Sequence, residues 1–249
     1  MTPHYRDIKL GIVCPMANEK ETAADFVKEV LAVCRKHQFG SIHFYASLDR
    51  VSQDGTIEIL KALSQQEKEL EVVFSPENKN VVDAYKRGYR EALAHGCDWI
   101  LEIDAGYSHK PSDIPKFFST AIAGDYDCVF GSRFIPGAHI INGSFKKFLL
   151  SYGGTQLCNV LLGTKLKDMT SGLELFKKTA LTAILEKGIH STGPFFQTEI
   201  RTFAHRFKIV EVPITYDSST SHAHNKVIID SLKNLKRLFF MRLKNQLGF

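Results

Sequence analysis

A small set of charged side chains in this sequence has the types and spacing to handle an anionic ligand. Asp104 closes the apolar run 99–104, and an aspartate at a strand end is a hard oxygen ligand suited to Mg²⁺ or Mn²⁺. Arg133 closes the next apolar run, 128–133, and its planar fork can grip a phosphate in bidentate fashion. Asn18 and Glu19 follow a run that ends at Pro15, Asp49 opens the polar stretch DRVSQDGT, and Asp168 opens a second one, DMTSG. A carboxylate for a cation and a guanidinium for a phosphate describe a nucleotide- or phosphate-binding site.

The elements needed to hold these groups are legible from periodicity. Short β-branched apolar runs at 8–15, 41–47, 70–75, 99–104 and 128–133 read as strands. Between them, apolar residues at helical spacing predict helices over 22–35, 56–64, 81–95 and 112–123. This alternation predicts an open, mostly parallel α/β sheet with helices on both faces. In such sheets ligands bind beyond the carboxyl ends of the strands. The segments after each strand, 15–19, 47–54, 75–80, 104–109 and 132–137, are the ones rich in Asp, Asn, Gly and Pro. Further on, 145–162 is apolar at helical spacing, and 207–216 reads as a late strand with Pro213 at an edge or bulge.

Composition excludes several classes. The 249 residues are 44% hydrophobic and 24% charged, ordinary for a globular chain. A net charge of +5 without a nucleic-acid motif gives no reason to expect nucleic-acid binding. The five cysteines are scattered with no C-x-x-C pair, which predicts neither a disulfide framework nor a zinc site and fits a reducing compartment. No signal-peptide pattern opens the chain, and its apolar runs fall short of the ~20 residues of a membrane span. There is no G-x-G-x-x-G after the first strand and no P-loop.

Taken in order, these segments resemble glycosyltransferase family 2, closest to the dolichol-phosphate and other polyprenyl-phosphate mannosyltransferases. Residues 15–19 (PMANE) resemble P-x-x-N-E, 49–56 resemble D-D-x-S-x-D-G-T, and 104–109 (DAGYSH) resemble D-A-D-L-S-H. Residues 131–134 resemble G-S-R-[FY], 168–176 (DMTSGLELF) are similar to D-x-T-S-G-F-R-L-[FY], and 196–199 resemble F-Q-x-E. Residues 209–216 (IVEVPITY) complete the likeness. It implies a GT-A fold over 1–225 and inverting transfer of a sugar from a nucleotide-diphosphate donor to a polyprenyl phosphate. GDP-mannose is the first choice of donor and a UDP-sugar the second. Pro15, Asn18, Glu19 and Asp49 would cradle base and ribose, Asp104 would meet Mg²⁺ or Mn²⁺, and Arg133 and Lys226 would serve the phosphates. Asp168 would orient acceptor or metal, or act as base if the acceptor were a hydroxyl.

The sequence departs from the family pattern at informative places. Gly106 stands in place of a second aspartate, Arg50 in place of another, and Glu174 in place of an arginine near the phosphates. In 218–226 only Lys226 matches, with His222 and His224 as partial substitutes. These changes predict an altered donor or acceptor, or weakened metal dependence. Two rivals follow: a soluble relative that glycosylates a hydroxyl, and a silent nucleotide-sugar-binding module. Residues 226–249 interleave Lys and Arg with Leu, Phe and Met, the pattern of an in-plane interfacial helix. The plainer reading packs this helix on its own domain or on a second subunit as a homo-oligomer. With 145–162, where Lys146 and Lys147 suit anionic headgroups, it predicts a peripheral protein on the cytoplasmic membrane face.

Overall fold

The computed structural model describes residues 5–218 and 225–248. The chain alternates as the periodicity predicts: β1 (Lys9–Pro15), α1 (Ala23–Arg35), β2 (Ser41–Leu48), α2 (Thr56–Ser64), β3 (Leu70–Phe74), α3 (Val81–Ala94), β4 (Trp99–Ile103), α4 (Ile114–Ala123) and β5 (Cys128–Ser132). Beyond these come β6 (His139–Ile141), α5 (Phe145–Leu162), β7 (Leu173–Lys177), α6 (Lys178–Glu186), α7 (Phe196–Ala204), β8 (Ile209–Pro213), β9 (Thr215–Asp217) and α8 (Asn225–Leu243).

The main sheet has the order β3-β2-β1-β4-β7-β5-β8. The β3-β2-β1-β4 half is parallel throughout, and β5 pairs parallel with β8. β7 is inserted antiparallel between β4 and β5, so the sheet is mixed. Pro213 ends β8 at the sheet edge, where its missing N–H costs no ladder bond. β6 and β9 form a separate two-stranded pair.

Because β-strand side chains alternate, the sheet serves two apolar layers. Leu10, Ile12 and Cys14 of β1 and Leu101 and Ile103 of β4 pack against α1, α2 and α4. Val13 and Ile100 face the other way, against α3, α6, α7 and α8. Helix α3 lies close on the sheet through Gly88, where a Cβ would run into Val13 and stand 2.8 Å from Ser47 Oγ. Asn80 caps this helix by accepting the backbone N–H of Asp83 at 3.1 Å. α3 thereby brings its first turns beneath the carboxyl ends of β1, β2 and β4.

Candidate functional site

The loops that leave the parallel strands converge on a cavity of about 440 Å³. Pro15, Glu19, Asp49 and Asp104 line it, so the structure gathers four of the predicted donor-side residues at one place. Asn18 does a different job. It adopts φ 60°, and its Oδ1 accepts the Gln53 N–H at 3.0 Å, tying the first loop to the second. Thr56 strengthens that tie by accepting the Glu19 N–H at 2.9 Å, and Asp54 does so by accepting the Lys20 N–H at 2.9 Å. Asp49 is buried and closes its own turn by accepting the Val51 N–H at 2.8 Å. Lys226 lies exposed in the first turn of α8 and lines none of the cavities described here. His222 and His224 fall outside the described residues.

Asp104 follows the last residue of β4, and its side chain is 42% exposed to the cavity. The Tyr85 hydroxyl, projected from α3, donates to its Oδ1. Burial pushes its pKa up to about 6, against the hydrogen bond from Tyr85 and the charge of Arg133. His109 stands behind it, 1% exposed, with Nδ1 3.5 Å from Asp104 Oδ2 and Nε2 3.3 Å from Ser171 Oγ. Burial and the Arg133 charge hold this imidazole neutral, with its pKa down to about 3. Gly172 lets β7 approach: a Cβ there would stand 2.5 Å from Asp104 Oδ2.

Arg133 and Asp168 make a buried, forked ion pair. Arg133 donates from Nε at 2.7 Å, from Nη2 at 2.8 Å and from its backbone N–H at 3.0 Å. The guanidinium also donates to Thr170 and lies 5.0 Å from the Tyr216 ring centroid and 5.1 Å from that of Phe134. Burial alone would raise the Asp168 pKa, but Arg133 and Arg201 hold it well below the usual carboxylate range. A carboxylate matched in this way stays ionised near neutral pH. What the geometry gives it is the aim of Arg133. The Arg133 side chain in turn walls a second cavity of about 250 Å³, together with Lys147, Ser144 and Tyr216.

Glu174 lines none of the three cavities described here. It is fully buried on β7 and accepts from Arg201 Nε at 2.6 Å. Arg201 was not singled out from the sequence, yet it braces the whole region. It donates to the carbonyls of Asp168, Gly131 and Ser171, three backbone points in two of the family motifs. Glu102, the register partner of Glu174, accepts from Tyr89 and from Gln197. Burial and the neighbouring Glu174 charge push its pKa well up. The one sequence signal for Arg201 was a single cation in the mixed segment FQTEIRTFA, a helix that proves buried along its length.

Beside the second cavity, α5 carries Phe145, 78% exposed, with Leu149, Leu150 and Val160 also in the open. Lys147 Nζ donates to the Ser218 carbonyl at 2.7 Å, drawing α5 over the second cavity. α8 packs on the same body: Leu235 and Leu238 are buried, Arg237 pairs with Glu199, and Arg242 donates to the Val160 and Leu161 carbonyls at 2.9 Å. Its Ile228, Ile229, Leu232, Phe240 and Leu243 remain exposed. An apolar cavity of about 320 Å³ lies between α5 and α8. No helix among the described residues is long and apolar enough to cross a membrane.

A parallel half-sheet ending in an acidic cavity, joined through an antiparallel strand to a cationic one, defines a GT-A type sugar-transferring fold. The chain belongs to glycosyl transferase family 2, whose model matches residues 11–185, and it is a glycosyltransferase. It is 31% identical over 171 residues to the undecaprenyl-phosphate mannosyltransferase of Micrococcus luteus, covering 68% of this chain and 70% of that protein. It is 27% identical over 208 residues to the polyprenol monophosphomannose synthase of Mycolicibacterium smegmatis, covering 82% and 76%. Among solved structures it resembles the glucosyl-3-phosphoglycerate synthase of Mycobacterium tuberculosis in complex with Mn²⁺, UDP-glucose and phosphoglyceric acid. That likeness has a TM-score of 0.66 at 15% identity, covers 92% of this chain and 80% of the other, and shows the shared fold.

Proposed function

We propose that this chain transfers a hexosyl group, mannose by first choice, from a nucleotide-diphosphate sugar such as GDP-mannose to a polyprenyl phosphate. We assign the transferase domain to residues 1–225 and treat 226–249 as a basic amphipathic helix packed on it. The observation that carries the reading is the adjacency of two unlike cavities. One is lined by Asp104, Glu19 and Asp49; the other is walled by Arg133 and Lys147 and opens beside the exposed apolar residues of α5. The first suits a cation-bridged diphosphate, and the second suits a phosphate at the end of a lipid. The two curated relatives act in this chemistry by name.

A divalent cation fits the donor side despite the loss of an aspartate at 106. A Cβ at Gly106 would stand 3.0 Å from Glu19 Oε1 and 3.1 Å from Oε2. The Glu19 carboxylate therefore occupies the space into which the family's second aspartate would project. It is oriented there by the Thr22 hydroxyl, which donates to Oε2 at 2.8 Å. Asp104 and Glu19 would hold Mg²⁺ or Mn²⁺, which when bound neutralises the charge that develops on the leaving diphosphate. Pro15 and Asp49 bound the donor. Arg133, kept in place by Asp168, steadies the acceptor phosphate with Lys147. That phosphate is already ionised near neutral pH, so direct attack on the anomeric carbon needs no general base.

The proposed setting is peripheral, at the cytoplasmic membrane face, through 145–162 and 226–249. The test is direct: enzyme, radiolabelled GDP-mannose, polyprenyl phosphate in liposomes and Mn²⁺ should give a labelled lipid phosphate. The protein should float with anionic liposomes, and Phe145→Ser with Leu149→Ser should weaken flotation about tenfold. Failure to label lipid with any common donor would sink the acceptor assignment. Protein that stays in solution while glycosylating a hydroxyl would install the soluble alternative.

A further inference from the structure

At the end of the sheet remote from the donor cavity, three metal-ligating side chains meet. His43 lies near the start of β2, Glu71 near the start of β3, and His95 caps the carboxyl end of α3. Tyr45 is the register partner of Glu71, so strand alternation puts His43, Tyr45 and Glu71 on one face, the face that α3 covers. Ligand atoms of His43, Glu71 and His95 all lie within 4.8 Å of one another. Glu71 Oε1 is 3.6 Å from Nδ1 of His43 and 3.6 Å from Nδ1 of His95. That is too long for a hydrogen bond. It is close to the roughly 3.4 Å between ligand atoms of a tetrahedral ion with bonds of about 2.0–2.1 Å. The side chains are 34%, 38% and 44% exposed, which leaves room to close on an ion and a fourth position open to water.

We propose that His43, Glu71 and His95 form a binding site for a borderline transition-metal cation, zinc(II) foremost, separate from the donor-side metal. Two imidazoles and one carboxylate suit zinc, whereas Mg²⁺ and Mn²⁺ favour oxygen sets. The Tyr45 hydroxyl is 2.8 Å from His95 Nδ1 and has Cys97 Sγ at 3.9 Å as a second partner. Capture of an ion at Nδ1 turns that hydroxyl toward the sulfur. The site's location gives it a consequence. β2 leads to Asp49, β3 leads to Ser75, and α3 carries Val81 and Ala84 of the donor cavity at its other end. His43 is about 20 Å of extended strand away from Asp49. An ion there clamps β3 to β2 and α3, the two of these elements whose ends line the donor cavity, without touching the donor.

The test uses the full chain stripped with chelator, titrated with Zn²⁺ by calorimetry and with Co²⁺ by absorption. His43→Gln, Glu71→Gln and His95→Gln are compared with wild type and with His139→Gln, a change at an exposed histidine elsewhere. The expected result is one saturable site, weakened at least tenfold by each of the three changes and untouched by His139→Gln. Zn²⁺ should raise the melting temperature of wild type and His139→Gln only, and bound Co²⁺ should show the intense absorption of tetrahedral coordination. Because the three side chains are 34–44% exposed, the metal-free variants should melt close to wild type. Absence of saturable uptake, or uptake that survives Glu71→Gln and His95→Gln unchanged, overturns the proposal.

Discussion

The two cavities of this site each have one aspartate at hand, and the two are held in opposite ways. Asp104 looks into the cavity beyond the parallel strands with its side chain part-exposed, and burial raises its pKa to about 6. Asp168 is sealed beneath the acceptor cavity against Arg133 and is pushed far in the other direction. The first is an aspartate whose charge the fold tolerates poorly by itself, which is what a cation ligand needs. The second is an aspartate whose charge the fold has already matched, which is what a positioning group needs. The same residue type does two jobs because its surroundings differ.

That contrast can be broken most severely at Asp168. Asp168→Asn should cost about 3–5 kcal/mol of folding stability, because it leaves the Arg133 guanidinium buried without its counter-charge. Urea denaturation measures this. The folded-state pKa of Asp168 is depressed, so its stabilisation is fully present above the unfolded value of about 3.9 and fades as pH falls below it. The variant should therefore lose stability less steeply than wild type on acidification.

Asp104→Asn should do the reverse: transfer falls about 100- to 1000-fold in kcat, while stability at pH 7 is unchanged or improved. A raised pKa means the fold opposes this carboxylate's charge as pH rises from about 4 to 6, and asparagine removes that opposition. A large loss of stability in Asp104→Asn would contradict the contrast. Binding of Mn²⁺ with a nucleoside diphosphate should strengthen about tenfold between pH 5 and pH 7, as Asp104 ionises through about 6. Titrations at the two pH values decide that. The smallest effect concerns Gly106→Asp. The new carboxylate would crowd Glu19 at like charge, so Mn²⁺ affinity should fall severalfold rather than rise. Adding Glu19→Gln to it should restore affinity; a gain from Gly106→Asp alone would return Glu19 to a purely nucleoside role.

The two sides also differ in how far they could be read in advance. Around the first cavity each residue sits at or shortly after the end of a strand whose apolar run marks its own end, so Pro15, Glu19, Asp49 and Asp104 are placed by local pattern and by the rule that parallel strands end together. Asn18 shows the limit even here, since a loop-to-loop hydrogen bond is invisible in a linear motif. Around the second cavity the governing element is β7, a five-residue strand with Glu174 as its second residue. A charged residue inside so short a run erases the strand signal. Arg201, 27 residues away, removes the anomaly by supplying the partner.

The sequence by itself determined the alternation of strands and helices, the loops that would bear function, and the family. Each of these depends on neighbours along the chain, and periodicity records neighbours. Only the tertiary structure decided that β7 enters antiparallel between β4 and β5, bringing 168–172 against Asp104. Only it turned Glu174 inward to Arg201, put Glu19 in the space left by Gly106, and bound Asp168 to Arg133. A buried charge is tolerable only when its counterpart is packed against it, and which residues meet is fixed by strand order and helix packing rather than by distance along the chain.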